Sequence, residues 1–473
     1  MNFATVSYLI FFAVVFIVYW HLRHRFQNIF LLGASYLFYA AWDWRFLSLI
    51  IISTLTDYIS GHMIYRSDSA LRRKIVLIIS LVINLSLLGY FKYFNFFADS
   101  FITLANSVGW NVSWTAANII LPVGISFYTF QSISYTVDIY RKKLKPTASL
   151  IDFAAFVAFF PQLVAGPIVR AREFVFQLEA KRVFNTQEFE AGLRRFLFGF
   201  FKKAFIADTL AMHLVEPAFA NPTEYSGATL WLALIGWTFQ IYADFSGYSS
   251  MAIGSAKMLG FKIPENFDFP YLSRNISQYW QRWHKTMSRF FRDYVYIGLG
   301  GNRRGLRRSL INITITTFVS GLWHGAGWTF VTWGLLHGFY IAVFQTWRKW
   351  RKDTGRWKDN PGITGIILAW ILTQLAICLS RILFRSPDFS TAWNYTKGIV
   401  LGSGSGTIEV PFLVWVAFGA IVIDHIFGWF LEHRPHIKDR VPGYVKVVVY
   451  VAMILFLSNS LPDFVNPYIY FQF

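Results

Sequence analysis

The chain has 473 residues, of which 55% are hydrophobic, 20% aromatic and only 15% charged, and its mean hydropathy is +0.42. A soluble domain of this length could not hide so much apolar side chain in one core, which excludes soluble enzymes and leaves a polytopic membrane protein. The formal charge of +19, from 44 Lys+Arg against 25 Asp+Glu, then reflects basic residues gathered in short cytoplasmic loops, not a nucleic-acid partner.

The first apolar segment, "VSYLIFFAVVFIVYW", has no basic residues before it and no small-residue cleavage site after it, so it is expected to be a retained anchor. Basic clusters follow at 21–25, 65–74, 140–145, 274–285, 301–308, 347–358 and 433–440, while the loops expected at 216–227 and 386–410 are poor in charge. This alternation places the N-terminus outside and predicts spans near 5–20, 28–42, 45–64, 75–95, 117–139, 196–216, 228–250, 361–384, 411–431 and 444–461. Segment 151–166 has basic residues on both sides and contains Pro161 and Gly166, so it reads as re-entrant. Broken backbone at membrane depth is tolerated only where protein or a water-filled cavity satisfies it. Cys378 is the only cysteine, which excludes an intrachain disulfide and a cysteine metal cage. The expectation is one domain over 1–473, with N-terminal spans over 1–110, a motif-bearing core over 117–346 and C-terminal spans over 361–473.

In that core, residues 280–294 on one helix would place Trp280, Trp283, His284, Met287, Phe290, Phe291 and Tyr294 on one side and Arg282, Lys285, Arg289 and Arg292 on the other. Such a helix suits the cytoplasmic interface, with its arginines toward anionic head groups or a phosphorylated ligand. His284 on the apolar side is either a working imidazole or a core histidine satisfied by a backbone carbonyl. The following "GLGGNRRG" follows no strand and lacks the P-loop lysine spacing, so no nucleotide fold is inferred.

Segment 309–346 has basic clusters at both ends and must enter and leave on the cytoplasmic side. A full span takes about 20 residues, so its two arms fall a little short and "GLWHGAG" lies at an apex inside the membrane layer. His324 is therefore expected in the membrane, reached from outside through a depression and surrounded by Gly321, Gly325 and Gly327, which allow close approach. An ionisable residue there is costly and defaults to a functional reading. Neither histidine has a GxSxG stretch, a nearby cysteine or HExxH spacing. General base catalysis remains, and acyl transfer from a thioester to a hydroxyl needs little beyond a base, a donor and positioning.

The stretches "LPVGISFYTFQSISYTVDIYR", "FFPQLVAGPIVRAREF", "QIYADFSGYSSMAIGSAKMLGF", "RNISQYWQRWHKTMSRFFRDYVYIGLGGNRRG" and "GLWHGAGWTFVTWGLLHG" together resemble the membrane-bound O-acyltransferase family over nearly the whole chain. The GGNR sequence is more similar to the alginate O-acetyltransferase branch than to the teichoic-acid D-alanylation branch; Gly298 departs from a proline common in relatives. The resemblance implies an all-α ring of about eleven to twelve spans around a thinned centre, with re-entrant and interfacial helices. It also implies His324 of the WHG motif as the catalytic residue and His284 of the RWH motif as a second requirement. The expected donor is cytoplasmic acetyl-CoA or an acylated carrier, with no permanently bound cofactor or metal. The acceptor is expected on the outer side of a bacterial inner membrane, as an exported polysaccharide or a partner acetyltransferase. Trp323, Arg282, Arg289, Arg292 and Asp244 are candidates for binding donor or substrate. Asp244 and Asp138 could instead pair with a neighbouring arginine, His337 is a further imidazole nearby, and Arg381 and Arg385 could bind an anionic acceptor or snorkel. A lipid- or teichoic-acid-acylating member of the family is the alternative enzyme; a transporter or a scaffold of a polysaccharide export complex lies outside that class.

Overall fold

The computed structural model describes residues 3–113, 119–164, 166–357, 361–402 and 404–434, with positions 443, 447, 448, 450, 451, 453, 455, 468 and 469. Among these residues the regular structure is helical, with one isolated bridge between Tyr225 and Gly406. Among the described residues four helical stretches, 24–66, 70–107, 362–385 and 412–431, contain segments long and apolar enough to cross a membrane. The expected span at 444–461 lies mostly outside the described residues. Two compact units are present, Met1–Phe196 with Met251–Pro264 and Leu197–Ser250 with Glu265–Phe473.

The first unit contains α1 (Val6–His21), α2 (His24–Asp43), α3 (Leu47–Arg66), α4 (Ala70–Leu88), α5 (Phe94–Ser107) and α6 (Ile125–Tyr140). Asp43 stops α2 with extended backbone, and its carboxylate accepts the Arg45 N–H at 3.0 Å, so 24–66 forms two helices and not one. Polar side chains tie α3, α4 and α6 together where apolar surface offers no driving force between helices in lipid. Buried Asp57 accepts from Thr136 Oγ1 at 2.8 Å and Asn84 Nδ2 at 3.0 Å, and from the Ser80 hydroxyl. The break expected in 151–166 is present: α7 (Leu150–Ala158) ends at Phe159 and α8 (Phe160–Leu163) restarts through Pro161. Its backbone is satisfied by side chains, since Ser35 Oγ accepts the Phe160 N–H at 3.2 Å and Gln162 Nε2 donates to the Phe156 carbonyl at 3.0 Å. Two further helices, α9 (Ala171–Glu179) and α10 (Thr186–Phe201), follow.

The second unit carries most of α11 (Gly227–Met258), then α12 (Ile276–Arg282), α13 (Lys285–Phe290), α14 (Gly305–His324), α15 (Trp328–Asp353), α16 (Gly362–Arg385), α17 (Phe389–Leu401) and α18 (Phe412–Ile423). The hairpin expected over 309–346 is α14 and α15 joined by Gly325–Gly327. Its arms press backbone to backbone: a Cβ on Gly334 would meet the Thr317 carbonyl, one on Gly321 the Phe330 carbonyl, and one on Gly338 the Thr317 hydroxyl. Small residues at such a seam are how helices pack closely in lipid.

Two expectations are corrected here. Residues 280–294 do not form one helix: α12 ends at Arg282, Trp283 is extended, and His284 is left-handed (φ 43, ψ 55) before α13 begins. The charge-poor stretch 386–410 is not a plain loop, because Asp388 accepts the Thr391 N–H at 2.7 Å and caps α17.

Candidate active site

His324 ends α14 and is 2% exposed. Aromatic rings enclose it, with centroids at 4.9 Å for Trp323, 5.0 Å for Trp333 and 5.3 Å for Phe384. The His284 ring is 6.5 Å away. The sequence therefore brings together two imidazoles 40 positions apart, one from the hairpin apex and one from the break between α12 and α13. Among the described residues the space at His324 is narrow. The imidazole lines a space of about 10 Å³, at the lower limit for a single water, because Trp333, Phe384 and Trp283 fill the volume.

His284 is fully buried, packed edge-on to Phe245 at 4.6 Å and tilted to Trp323 at 5.6 Å. Neither of its ring nitrogens has a hydrogen-bond partner among the described residues. That argues against the core histidine capped by a carbonyl, since buried polar groups are normally paired. The Trp323 ring thus packs against both histidines.

The left-handed backbone of His284 is disfavoured for a residue with a Cβ, by roughly 1–2 kcal/mol. It is held by Asn266, which is fully buried. The Asn266 carbonyl accepts the Lys285 N–H at 2.8 Å, Oδ1 accepts Thr286 Oγ1–H at 2.9 Å and Thr286 N–H at 3.4 Å, and Nδ2 donates to Ser249 Oγ at 3.2 Å. The Asp268 N–H donates to the Arg282 carbonyl at 3.0 Å on the other side of the break. Nothing in the sequence marks Asn266 except its place at the head of "NFDFPYLSRN".

His337 is a satisfied histidine. Trp280 Nε1–H donates to its Nδ1 at 3.3 Å, which puts the proton on Nε2, 3.0 Å from Ser380 Oγ, and that hydroxyl donates to the Ile377 carbonyl at 2.7 Å. Arg381 donates to the Tyr279 hydroxyl at 2.9 Å and lies 4.5 Å above the Trp283 ring. Arg385 pairs with Glu216 at 2.6 Å. Asp138 lies 3.8 Å from Arg172, but Asp244 pairs with a lysine: buried Lys203 bridges Asp244 at 2.7 Å and Asp208 at 2.8 Å. The second Asp244 oxygen accepts the Ile469 N–H at 3.1 Å. This places Asp244 in a structural ion cluster that pins the segment at 468–469, whose Tyr468 stacks on Tyr248 at 4.5 Å.

The break at 283–284 also divides the expected basic face. Arg292 lines an apolar cavity of about 230 Å³ with Trp280, Met287, Phe291, Trp333 and His337. Arg282 faces a different groove, bordered by Arg274 and Trp370, and Arg289 is half-buried on α13. Trp333 and His337 border both the 230 Å³ cavity and the small space at His324. Among the described residues no three His, Cys, Asp or Glu side chains gather as a metal site would need.

A helical membrane protein with two buried imidazoles side by side, one at a hairpin apex and one at a helix break, next to an apolar cavity, has the parts of a membrane-embedded acyltransferase. The chain belongs to the membrane-bound O-acyltransferase family, whose family model matches residues 141–384, and it is an O-acyltransferase. It is 40% identical to the probable alginate O-acetylase AlgI of Pseudomonas aeruginosa, over 89% of this chain and 81% of that one. It is 36% identical to a peptidoglycan O-acetyltransferase of Helicobacter pylori, over 79% and 74% of the two chains. The teichoic acid D-alanyltransferase of Bacillus subtilis is 28% identical over 58% of this chain and 70% of its own.

Proposed function

We propose that this O-acyltransferase moves an acetyl group from a cytoplasmic thioester, acetyl-CoA or an acylated carrier, to a hydroxyl on the outer side of a bacterial inner membrane. The acceptor is an exported polysaccharide or a partner acetyltransferase. His324 takes the acceptor's hydroxyl proton as its oxygen attacks the thioester carbonyl; the C–S bond breaks and the proton passes to the departing thiolate. His284, with its nitrogens free of other partners among the described residues, donates a hydrogen bond to the oxyanion. Arg289 and Arg292 hold the donor's phosphates, and the 230 Å³ cavity receives the thioester arm after the Trp333 ring turns aside. The observation that carries this reading is the placement of two buried imidazoles with ring centroids 6.5 Å apart. The acetyl group and the polysaccharide acceptor are favoured over a D-alanyl group and teichoic acid by the higher identity to the O-acetyl-transferring relatives.

The test supplies radiolabelled acetyl-CoA and an exported polysaccharide to purified protein in proteoliposomes. His324→Ala is expected to abolish label transfer with the thermal midpoint and elution profile kept. Label transfer by His324→Ala above a tenth of the unmodified rate would overturn the assignment. Uptake without turnover by the unmodified chain would indicate a transporter, and neither uptake nor turnover a scaffold.

A further inference from the structure

A groove in the second unit has a chemistry that the acyl-transfer site does not use. Its volume is about 550 Å³, and its borders come from three stretches: the 272–282 segment, the first turns of α16, and the turn that follows α18. Each of these stretches adjoins a basic cluster, at 274–285, 347–358 and 433–440, which marks the cytoplasmic ends of membrane segments. The groove is therefore at the level of the cytoplasmic leaflet.

Its lining is of two kinds. Arg274 and Arg282 both border it. Neither forms an ion pair among the described residues; Arg282 donates only to the Phe269 carbonyl, at 3.4 Å. The apolar lining includes Ile367, Trp370, Ile426 and Phe427, which are 49%, 42%, 54% and 60% exposed. Trp370 is fixed in place, with its indole N–H donating to the Tyr271 carbonyl at 2.7 Å. Two cations without counterions among the described residues, beside an aliphatic and aromatic trough, match an amphiphile that carries a negative head. A free phosphate would leave the trough empty, and an uncharged lipid would leave the arginines unmatched.

We propose that this groove is a binding site for one anionic phospholipid of the cytoplasmic leaflet, with its phosphate at Arg274 and Arg282 and an acyl chain along Ile367, Trp370, Ile426 and Phe427. The site has a direct structural link to the catalytic histidines. Arg282 is the last residue of α12, and its carbonyl accepts the Asp268 N–H at the break that presents His284. Lipid phosphate on its guanidinium holds the end of α12 in place, so occupancy steadies His284.

The experiment places the full chain in nanodiscs of phosphatidylcholine doped with a photoactivatable phosphatidylglycerol and reads crosslinked peptides by mass spectrometry. Crosslinks are expected on 366–370 and 426–430, competed by unlabelled phosphatidylglycerol and not by phosphatidylcholine. Arg274→Gln and Arg282→Gln are each expected to weaken the phosphatidylglycerol competition about fivefold, the equivalent of roughly 1 kcal/mol for a cation at an anionic surface. Because Arg282→Gln could disturb α12, Ile367→Trp is a second variant that fills the trough away from the break and is expected to remove the crosslinks with the thermal midpoint unchanged. Equal competition by phosphatidylcholine would overturn the proposal, as would equal competition by inorganic phosphate or glycerophosphoglycerol. Displacement by acetyl-CoA would assign the groove to the donor and overturn it too. These outcomes are independent of label transfer to polysaccharide, so failure here leaves the acyl-transfer reading intact.

Discussion

Replacing Asn266 by alanine separates the presentation of His284 from its chemistry. The Asn266 side chain makes three hydrogen bonds, two with Thr286 and one with Ser249, at 2.9, 3.4 and 3.2 Å. At about 1 kcal/mol for each, Asn266→Ala removes roughly 2–3 kcal/mol of support. That is as large as the 1–2 kcal/mol by which a residue with a Cβ disfavours left-handed backbone, so the break at 283–284 relaxes toward a continuous helix and carries the His284 ring away from His324. If about 2 kcal/mol of this appears as lost presentation, kcat falls about 30-fold, since each 1.36 kcal/mol is tenfold. Ser249→Ala removes one bond of the three and is expected to lower kcat about fivefold. The assay is acetyl transfer in proteoliposomes, with kcat and donor KM measured separately and folding followed by thermal midpoint. A presentation effect lowers kcat and leaves KM within twofold. An Asn266→Ala protein that folds and keeps kcat within twofold would refute the idea that this side chain sets the histidine's position.

Three other outcomes follow from the packing. Lys203→Met leaves Asp208 and Asp244 buried without the cation they share, and is expected to destabilise by about 3–5 kcal/mol, seen as loss of the thermal transition in detergent. Asp244→Asn is milder, because Lys203 keeps Asp208, and a thermal midpoint as low as that of Lys203→Met would argue against the shared bridge. Gly334→Val drives a side chain into the Thr317 carbonyl and Gly321; overpacking of about 1–3 kcal/mol or more should reduce folded protein in membranes, and normal yield with normal activity would contradict the close seam. His337→Gln keeps a hydrogen-bonding side chain between Trp280 and Ser380 and is expected to hold at least a third of the kcat. A loss as deep as that of His324→Ala would give His337 a chemical role that its satisfied nitrogens do not suggest.

The parts of the fold that reveal themselves in sequence are those set by composition and by period. The hairpin over 309–346 is legible because basic clusters flank an apolar stretch with glycines at its centre, and His324 falls at its apex as the arm lengths require. The break near Phe159 is legible through Pro161. The break at Trp283–His284 is not, since the apolar period runs through it undisturbed and the left-handed residue is a histidine, not a glycine. What decides it is a partner from 266–268, a tertiary contact that local spacing does not encode. The same limit hides Lys203: Asp244 was expected to find an arginine, but its cation comes from the π-helical turn Lys202–Ala207. Access to His324 is also invisible to pattern, because it depends on how far Trp333 and Phe384 fill the space that the glycines leave.

The glycine seam between α14 and α15 restricts how this enzyme can breathe. Helices whose main chains touch at Gly321 and Gly334 have no compressible layer of side chains there to slide upon, so the two arms move as one body and His324 travels with neither alone. Admission to the imidazole then falls to rotation of single aromatic rings, Trp333 first, which is a more local motion than a tilting of helices.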